Sequence, residues 1–389
     1  MPVTVRPVTS SRDLAAWVQF PRRRVYPSAS PWVPPLDRDL VRLLDRRKNP
    51  FFQQGDAAAL LATDAAGQTV GRVLAQIYRP HNERHGERTA FFGFFECRDD
   101  QEAATALIQA AAQAGAAWGC DTLRGPFNLT AMQEMGVMVD GFEYPPAVDQ
   151  TYTPSYYPAL LEQAGLRRIF PHTTYRLDDV RSVALDGLLT ERHRVLSVER
   201  RLTIRPARMT HFEQELEILR RLLNESFAEL ANFVPLTADE LLFQVGTYRS
   251  YLDPNLLLVA EMDGVPRGFV LAVPDFNPLL KRLDGSVSAP HIVGALPSVG
   301  GWLWQRDAVL IIQGVERRLQ GQGIMRVLHH QLLHNLRSRR YRALSVTWIA
   351  DENAASSSSV RALGARPRHR LTLYEGSIEA LTGAGNGNS

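Results

Sequence analysis

One order of local patterns runs through the chain twice, and it constrains the fold more than any single motif. The first pass opens with a short alternating strand, VTVRPV (Val3 to Val8), and a helix that Ser10 or Ser11 can cap. Two apolar runs, AALLATDAAGQTVGRVLAQI, read as a hairpin turned at Asp64 to Gln68. TAFFGFFEC (Thr89 to Cys97) is a strand too apolar on both faces for a sheet edge, followed by the alanine-rich helix from Ala103. The second pass repeats this with LTIRPARM, the amphipathic HFEQELEILRRLLNESF, the hairpin LLLVAEMDGVPRGFVLAV, the buried strand AVLIIQGV and the helix IMRVLHHQLLHNLRS. A further strand, ALSVTWI, a helix from Asn353 to Leu363 and a last strand, HRLTLYE, complete it. The class is α/β, a mixed sheet flanked by helices, built as two like units in tandem.

A length of 389 residues suits two domains. The expected bounds are 1–180 and 202–376, with a connecting helix over 181–201 and a disordered tail over 377–389 that ends in GAGNGNS. Hydrophobic residues at 45% and charged residues at 22% exclude a disordered or fibrous chain. The net charge of +3 carries no nucleic-acid footprint, and Lys48 and Lys281 are the only lysines among 44 basic residues. Cys97 and Cys120 alone make neither a disulfide framework nor a zinc site, so they read as two thiols of a reducing cytoplasm. The start of the chain has no apolar core of signal-peptide length, and the uncharged stretch Ala103 to Cys120 is too weakly apolar to span a bilayer.

GVERRLQGQGIMRVL (Gly314 to Leu328) carries the most chemistry. A buried strand ends at Val315, a glycine-rich loop follows, and a helix begins near Gly323. Such a loop points several backbone N–H groups at one spot by the positive end of a helix, which suits a pyrophosphate. Gly321 and Gly323 allow close approach of a ligand, and Arg317 and Arg318 add charge at the rim. Taken alone, a Gly-x-Gly between strand and helix is as often a tight turn.

In this setting the loop resembles that of the GCN5-related N-acetyltransferase (GNAT) superfamily, Gln/Arg-x-x-Gly-x-Gly/Ala after a strand with a valine eight residues before the first glycine. Two registers fit: Arg318-x-x-Gly321-x-Gly323 by letters, and Gln320-x-x-Gly323-x-Met325, which puts Val315 at the right offset and Ile324, Leu328 and Leu332 on the inner face of the helix. The second is preferred, with Met325 where the superfamily has a small residue. Either way the resemblance implies an acetyl-CoA or longer acyl-CoA site, with no metal, at Gly314, Val315, Arg318, Gln320, Gly321, Gln322, Gly323, Ile324, Met325 and Asn353, with Asn353, Tyr374 and Glu316 as the catalytic candidates. DENAASSSSVRALGA matches the second signature of the superfamily through Asn353. Many members place a tyrosine seven residues after that asparagine to protonate the leaving thiolate. Here that residue is Val360, so the role is empty or filled from elsewhere, with Tyr374 as candidate.

The first half resembles the bacterial ceramide synthase-like branch of the same superfamily. FFGFFE, GPFNLTAMQEMGVMVDGF, Pro145-Pro146, TPSYYPALLEQAGL, NPFF (Asn49 to Phe52), VGRV (Val70 to Val73) and FVPLT (Phe233 to Thr237) carry that likeness over about residues 3 to 376. No phosphate loop is present in this half: FFECRDDQEAA passes from strand to helix through Asp99 and Asp100, whose charges would repel a pyrophosphate. Only the second half is therefore expected to bind coenzyme A. The implied reaction is acyl transfer from acyl-CoA to a primary amine, with a long-chain, sphingoid-like base as the subfamily-level guess. Its demands are an oxyanion donor, expected at the amides beside Ile312 to Gly314, a base for the ammonium proton, and an acid for the thiolate.

No residue identifies the base. Glu316 lies on the loop but reads first as a solvated charge, and Glu261 ends a strand. Asn128, Glu134, Tyr152, Tyr156 and Tyr157 cluster in a Gly/Pro-rich stretch and are the candidate acceptor-binding residues; the plainer reading of the tyrosines is packing with the hydroxyl at the surface. His329, His330 and His334 have no accompanying carboxylate of the His-Glu-x-x-His type and read as a solvated helix face. Two rivals stand beside the transferase. One is a Fem-type tandem GNAT using aminoacyl-tRNA, which would need a basic groove and no pyrophosphate loop. The other binds acyl-CoA without catalysis. The expected partner is a small-molecule or lipid amine, with peripheral membrane contact left open and no nucleic acid.

Overall fold

The computed structural model describes residues 2–130, 132–230, 232–246, 252–288, 291 and 306–383. The chain forms two compact units. The first is built from Met1–Thr173, the described part of 280–294, and the chain from His369; the second from Thr174–Leu279 and the described part of 295–368.

In the first unit, β1 (Thr4–Pro7), β2 (Gly55–Thr63), β3 (Thr69–Tyr78), β4 (Thr89–Cys97) and β5 (Thr122–Gly125) lie side by side in that order. Only β4 and β5 run parallel, paired from Thr89 with Thr122 to Phe91 with Arg124. The helix Gln101–Ala117 supplies the crossover between them and packs on the sheet through Ala103, Ala104, Leu107, Ile108, Ala111 and Ala112. Its alanines let the helix axis lie close to Val73, Ala75 and Ile77. That makes it a core helix, as the sequence suggests.

The strand beyond β5 comes from the far end of the sequence. β13 (Arg366–Ser377) pairs antiparallel with β5, Tyr374 opposite Gly125 and Ser377 opposite Thr122. Glu375 is held there by Arg124 and Arg167, each at 2.7 Å. HRLTLYE therefore finishes the first unit, although its place in the sequence put it in the second half. Local patterning carries no information about a partner some 250 residues away. Ile378–Thr382 then forms a helical turn where composition suggested a disordered tail, because Ile378 and Leu381 are buried, with Ile378 seated on Gly115. Residues 384–389, the rest of that tail, lie outside the described residues.

The second unit repeats the plan. β8 (Leu202–Pro206), β9 (Leu257–Met262), β10 (Val265–Pro274), β11 (Ala308–Val315) and β12 (Leu344–Ala350) are adjacent in that order, and only β11 and β12 are parallel. The end of β7 (Arg167–Leu177) lies beyond β12. The helix Ile324–Ser338 buries Ile324, Leu328, Leu332, Leu333 and Leu336 against Leu258, Ala260, Val270 and Leu310. The expected connecting helix is shorter, Glu191–Glu199, preceded by two single 3-10 turns. Among the described residues no helix is long and apolar enough to cross a membrane.

Candidate active site

Parallel pairing of β11 with β12 covers only Ala308, Leu310 and the residue between them. Beyond that β11 follows β10 alone, after a bulge at Ile311, where Leu271 faces Ile312 but Ala272 faces Leu310. The Thr347 hydroxyl donates to the Ile311 carbonyl at 2.8 Å. The stretch Ile312 to Gly314 thus runs along the side of an opening between the two strands. A Cβ at Gly314 would stand 2.7 Å from Ser226 Oγ, whose hydroxyl donates to Val315 O. Glycine is required there so that the helix Phe212–Ser226 can lie against the strand.

A single 3-10 turn, Arg317–Leu319, leads from the strand to the loop. Gln320 closes it from within, its amide nitrogen donating to Val315 O at 3.2 Å, and Gln322 does the same to Arg318 O at 3.1 Å. Gly321 (φ +73°) and Gly323 (φ +97°) take the left-handed conformation, and Gly323 is the N-cap of the helix that begins at Ile324. Four turn and helix-start amides follow the strand without a protein acceptor among the described residues, Gly321, Gly323, Ile324 and Met325, while the Gln322 N–H between them donates to Leu319 O. Ile324 is buried and Met325 packs against the core from its edge, so the small residue of the superfamily is replaced by a partly inward side chain.

Glu316 is 3% exposed, not a solvated charge. Burial opposes its ionisation, but Arg267 at 2.6 Å and the contacting Arg318 outweigh it and hold the carboxyl below its usual range. Arg318 is thereby turned toward Glu316, while Arg317 pairs with Glu229. Asn353 caps the helix Ala354–Arg361 by accepting from Ser356 N at 3.0 Å, and Val360 is fully buried in the core behind it. Tyr374 lies with the first unit, fully buried, its hydroxyl donating to Glu162 Oε1 at 3.3 Å. Glu261 accepts from Arg205 at 2.7 Å.

His329 also departs from the expected solvated face. It is 2% exposed, its Nε2 lies 2.6 Å from Gln313 Oε1 on β11, and burial lowers its pKa to about 4 with help from Arg326. The ring is neutral at pH 7 and ties the loop helix to the strand beside the opening. Among the described residues no cluster of three or more His, Cys, Asp or Glu side chains could hold a metal.

In the first unit the corresponding opening is filled by its own chain. Phe127 N donates to Phe92 O at 2.7 Å, and Asn128 Oδ1 accepts from Phe94 N at 2.7 Å. At the following helix, Asp100 accepts from Ala103 N at 3.1 Å, so a carboxylate already occupies the helix start. Asn128 also reaches Glu134, at 3.4 Å. Tyr157 donates to Glu96 Oε2 at 2.7 Å and accepts from Cys97 N at 2.9 Å, and Tyr156 donates to Cys97 O at 2.9 Å. Tyr152 stands apart from these, donating to Phe142 O at 2.8 Å. Glu96 and Arg72 are the residues that the sequence reading passed over. Each is the only charge in an otherwise apolar strand segment, FFGFFE and VGRV, and that isolation was the available signal.

Two tandem units, each a mixed sheet with one parallel pair opening beyond its third rung, and one of them carrying a glycine loop at a helix start, define the tandem GNAT fold. A tandem GNAT protein from the clavulanic acid biosynthesis pathway aligns with a TM-score of 0.55 over 97% of this chain and 98% of its own, at 15% identity. A GCN5-related N-acetyltransferase from Sphaerobacter thermophilus gives 0.52 over 97% and 96%, at 14% identity. No family model matches. In sequence, protein YghO of Escherichia coli (strain K12) is 31% identical over 96% of this chain and 95% of its own length. The bacterial ceramide synthase of Caulobacter vibrioides (strain NA1000 / CB15N) is 25% identical over 96% and 97%. The chain belongs to one family with protein YghO, and its fold is that of the tandem GNAT proteins.

Proposed function

We propose that this protein moves an acyl group from coenzyme A to a primary amine, with the second unit holding the acyl-CoA. The observation that carries this is the set of unpartnered amides at Gly321, Gly323, Ile324 and Met325, at the positive end of a 15-residue helix. These donors suit the pyrophosphate, and the stretch Ile312 to Gly314 along the β11–β12 opening suits the thioester. The Caulobacter relative is named a ceramide synthase, which supports a fatty acyl donor and a long-chain, sphingoid-like base as acceptor.

The amine nitrogen attacks the thioester carbonyl carbon, and the carbonyl oxygen takes up negative charge that β11 amides stabilise. The C–S bond then breaks, the sulfur leaves as thiolate and takes a proton, and the nitrogen gives one up to a base. Glu316, held ionised by two arginines, is a weak proton acceptor, and its part is to fix the loop to β10. Two buried free cysteines suit a reducing compartment, and we place the reaction in the cytoplasm.

A second reading, acyl-CoA binding without catalysis, draws on the buried Val360 where many members have the acid tyrosine. Calorimetric titration with acetyl-CoA and palmitoyl-CoA, wild type beside Gly323→Asp, tests the site. Binding by wild type only is the expected result, and no heat from either thioester would end the coenzyme A reading. Thiol release across an amine panel then separates the two readings: release supports transfer, and binding without release supports the scaffold.

A further inference from the structure

One face of β3 in the first unit carries a buried polar row under the helix Ser11–Phe20, on the side away from the alanine helix. Arg72 and Gln76 alternate with Val73, Ala75 and Ile77, which pack on that helix. Arg72 is 3% exposed: it donates to Trp17 O at 2.7 Å, lies 4.2 Å above the Trp17 ring and pairs with Glu96 at 3.9 Å. Gln76 is fully buried. Its Nε2 donates to Leu129 O at 2.8 Å, and its Oε1 has no partner among the described residues. Leu129 adjoins Asn128, whose side chain reaches Glu134 at 3.4 Å.

Charge in this row does not balance. Glu96 and Glu134 face a single guanidinium, Arg72. Burial raises Glu96 to about 7 against the pull of Arg72 and the hydroxyls of Tyr157 and Tyr26. Asp149 and Glu96 also disfavour the charge on Glu134, but that side chain is exposed, and solvent screens the effect. The buried Gln76 oxygen without a donor is costly, the exposed Glu134 carboxylate stands beside it without a cation among the described residues, and a ligand with positive charge and several N–H groups answers both.

We infer that Glu96, Glu134 and the Gln76 carboxamide oxygen form a binding site in the first unit for a primary ammonium group. Three acceptors match the three N–H donors of R–NH3+, and Arg72 offsets one of the two carboxylates. A neutral alcohol brings no positive charge to answer the two carboxylates. This deepens the acceptor part of the proposed reaction and rests on it for the choice of a primary amine.

The full-length protein without coenzyme A is titrated calorimetrically with hexylamine and with hexan-1-ol. Hexylamine is expected to bind and hexan-1-ol not. Glu96→Gln and Glu134→Gln are each expected to weaken hexylamine at least tenfold, with coenzyme A binding kept. Glu134 is the decisive position, since its exposed side chain makes only one hydrogen bond among the described residues, a long one to Asn128, and its loss leaves the core intact. Wild-type affinity in Glu134→Gln, or equal binding of alcohol and amine, overturns the site. Amine binding without coenzyme A binding would instead sink the transferase reading and leave this site standing.

Discussion

The His193 imidazole packs directly on the backbone of Gly323: a Cβ on that glycine would stand 2.7 Å from Cδ2 and 2.8 Å from Nε2. Thr190 N donates to Nδ1 at 3.1 Å, which turns the Nε2 edge of the ring to the loop. A side chain at 323 therefore meets both a forbidden φ and an occupied neighbour. Gly323→Ala should lower coenzyme A affinity more than tenfold in calorimetry. Gly321→Ala, at φ +73° with nothing within 4 Å, should cost about 1 kcal/mol of backbone strain and much less affinity.

Glu316→Ala leaves Arg267 beside an emptied buried site. Urea unfolding should show a loss of about 3 kcal/mol, the cost of stranding one partner of a buried pair. Arg318, largely exposed, should contribute little to that loss. The pH profile of thiol release should keep its shape in Glu316→Gln; a lost acidic-side limb would restore Glu316 as the proton acceptor.

His329 gives the second unit a pH signature. Its folded pKa of about 4 lies below the unfolded value, so its stabilising contribution is complete above about pH 6.5 and is lost as pH falls through about 4. Thermal melts of wild type should decline over that window. His329→Gln, which can still meet Gln313, should decline less steeply. Equal slopes would show that the histidine is not buried neutral.

Tyr374→Phe removes a hydroxyl engaged with Glu162 in the core of the first unit. Stability should drop by about 1 kcal/mol and acyl transfer should stay within threefold of wild type. A hundredfold loss of turnover, with acyl-CoA affinity unchanged, would instead make Tyr374 the thiolate acid.

Gly93→Ala tests the filled opening of the first unit. The new Cβ would lie 1.8 Å from Phe127 O, so the Gly125–Asn128 segment must leave its place between β4 and β5. A destabilisation of about 3 kcal/mol or more is expected in chemical unfolding.

What the letters decided by themselves is local and periodic. The alternation in AALLAT and VGRVLAQI, the alanine stripe from Ala103 to Ala114, and the glycines before IMRVL specify strands, a close-packed helix and a left-handed turn through short-range sterics and side-chain spacing. The loop and its helix were legible for that reason. Pairing across the chain was not: the partner of β5 is β13, the carboxylate of Glu316 finds Arg267, and His329 finds Gln313 only once the sheet is assembled. Glu96 and Arg72 read as stray charges in apolar strands until their faces meet. Burial, and with it the shift of each proton equilibrium, is a property of the packed interior, because it depends on which distant groups exclude water from a side chain.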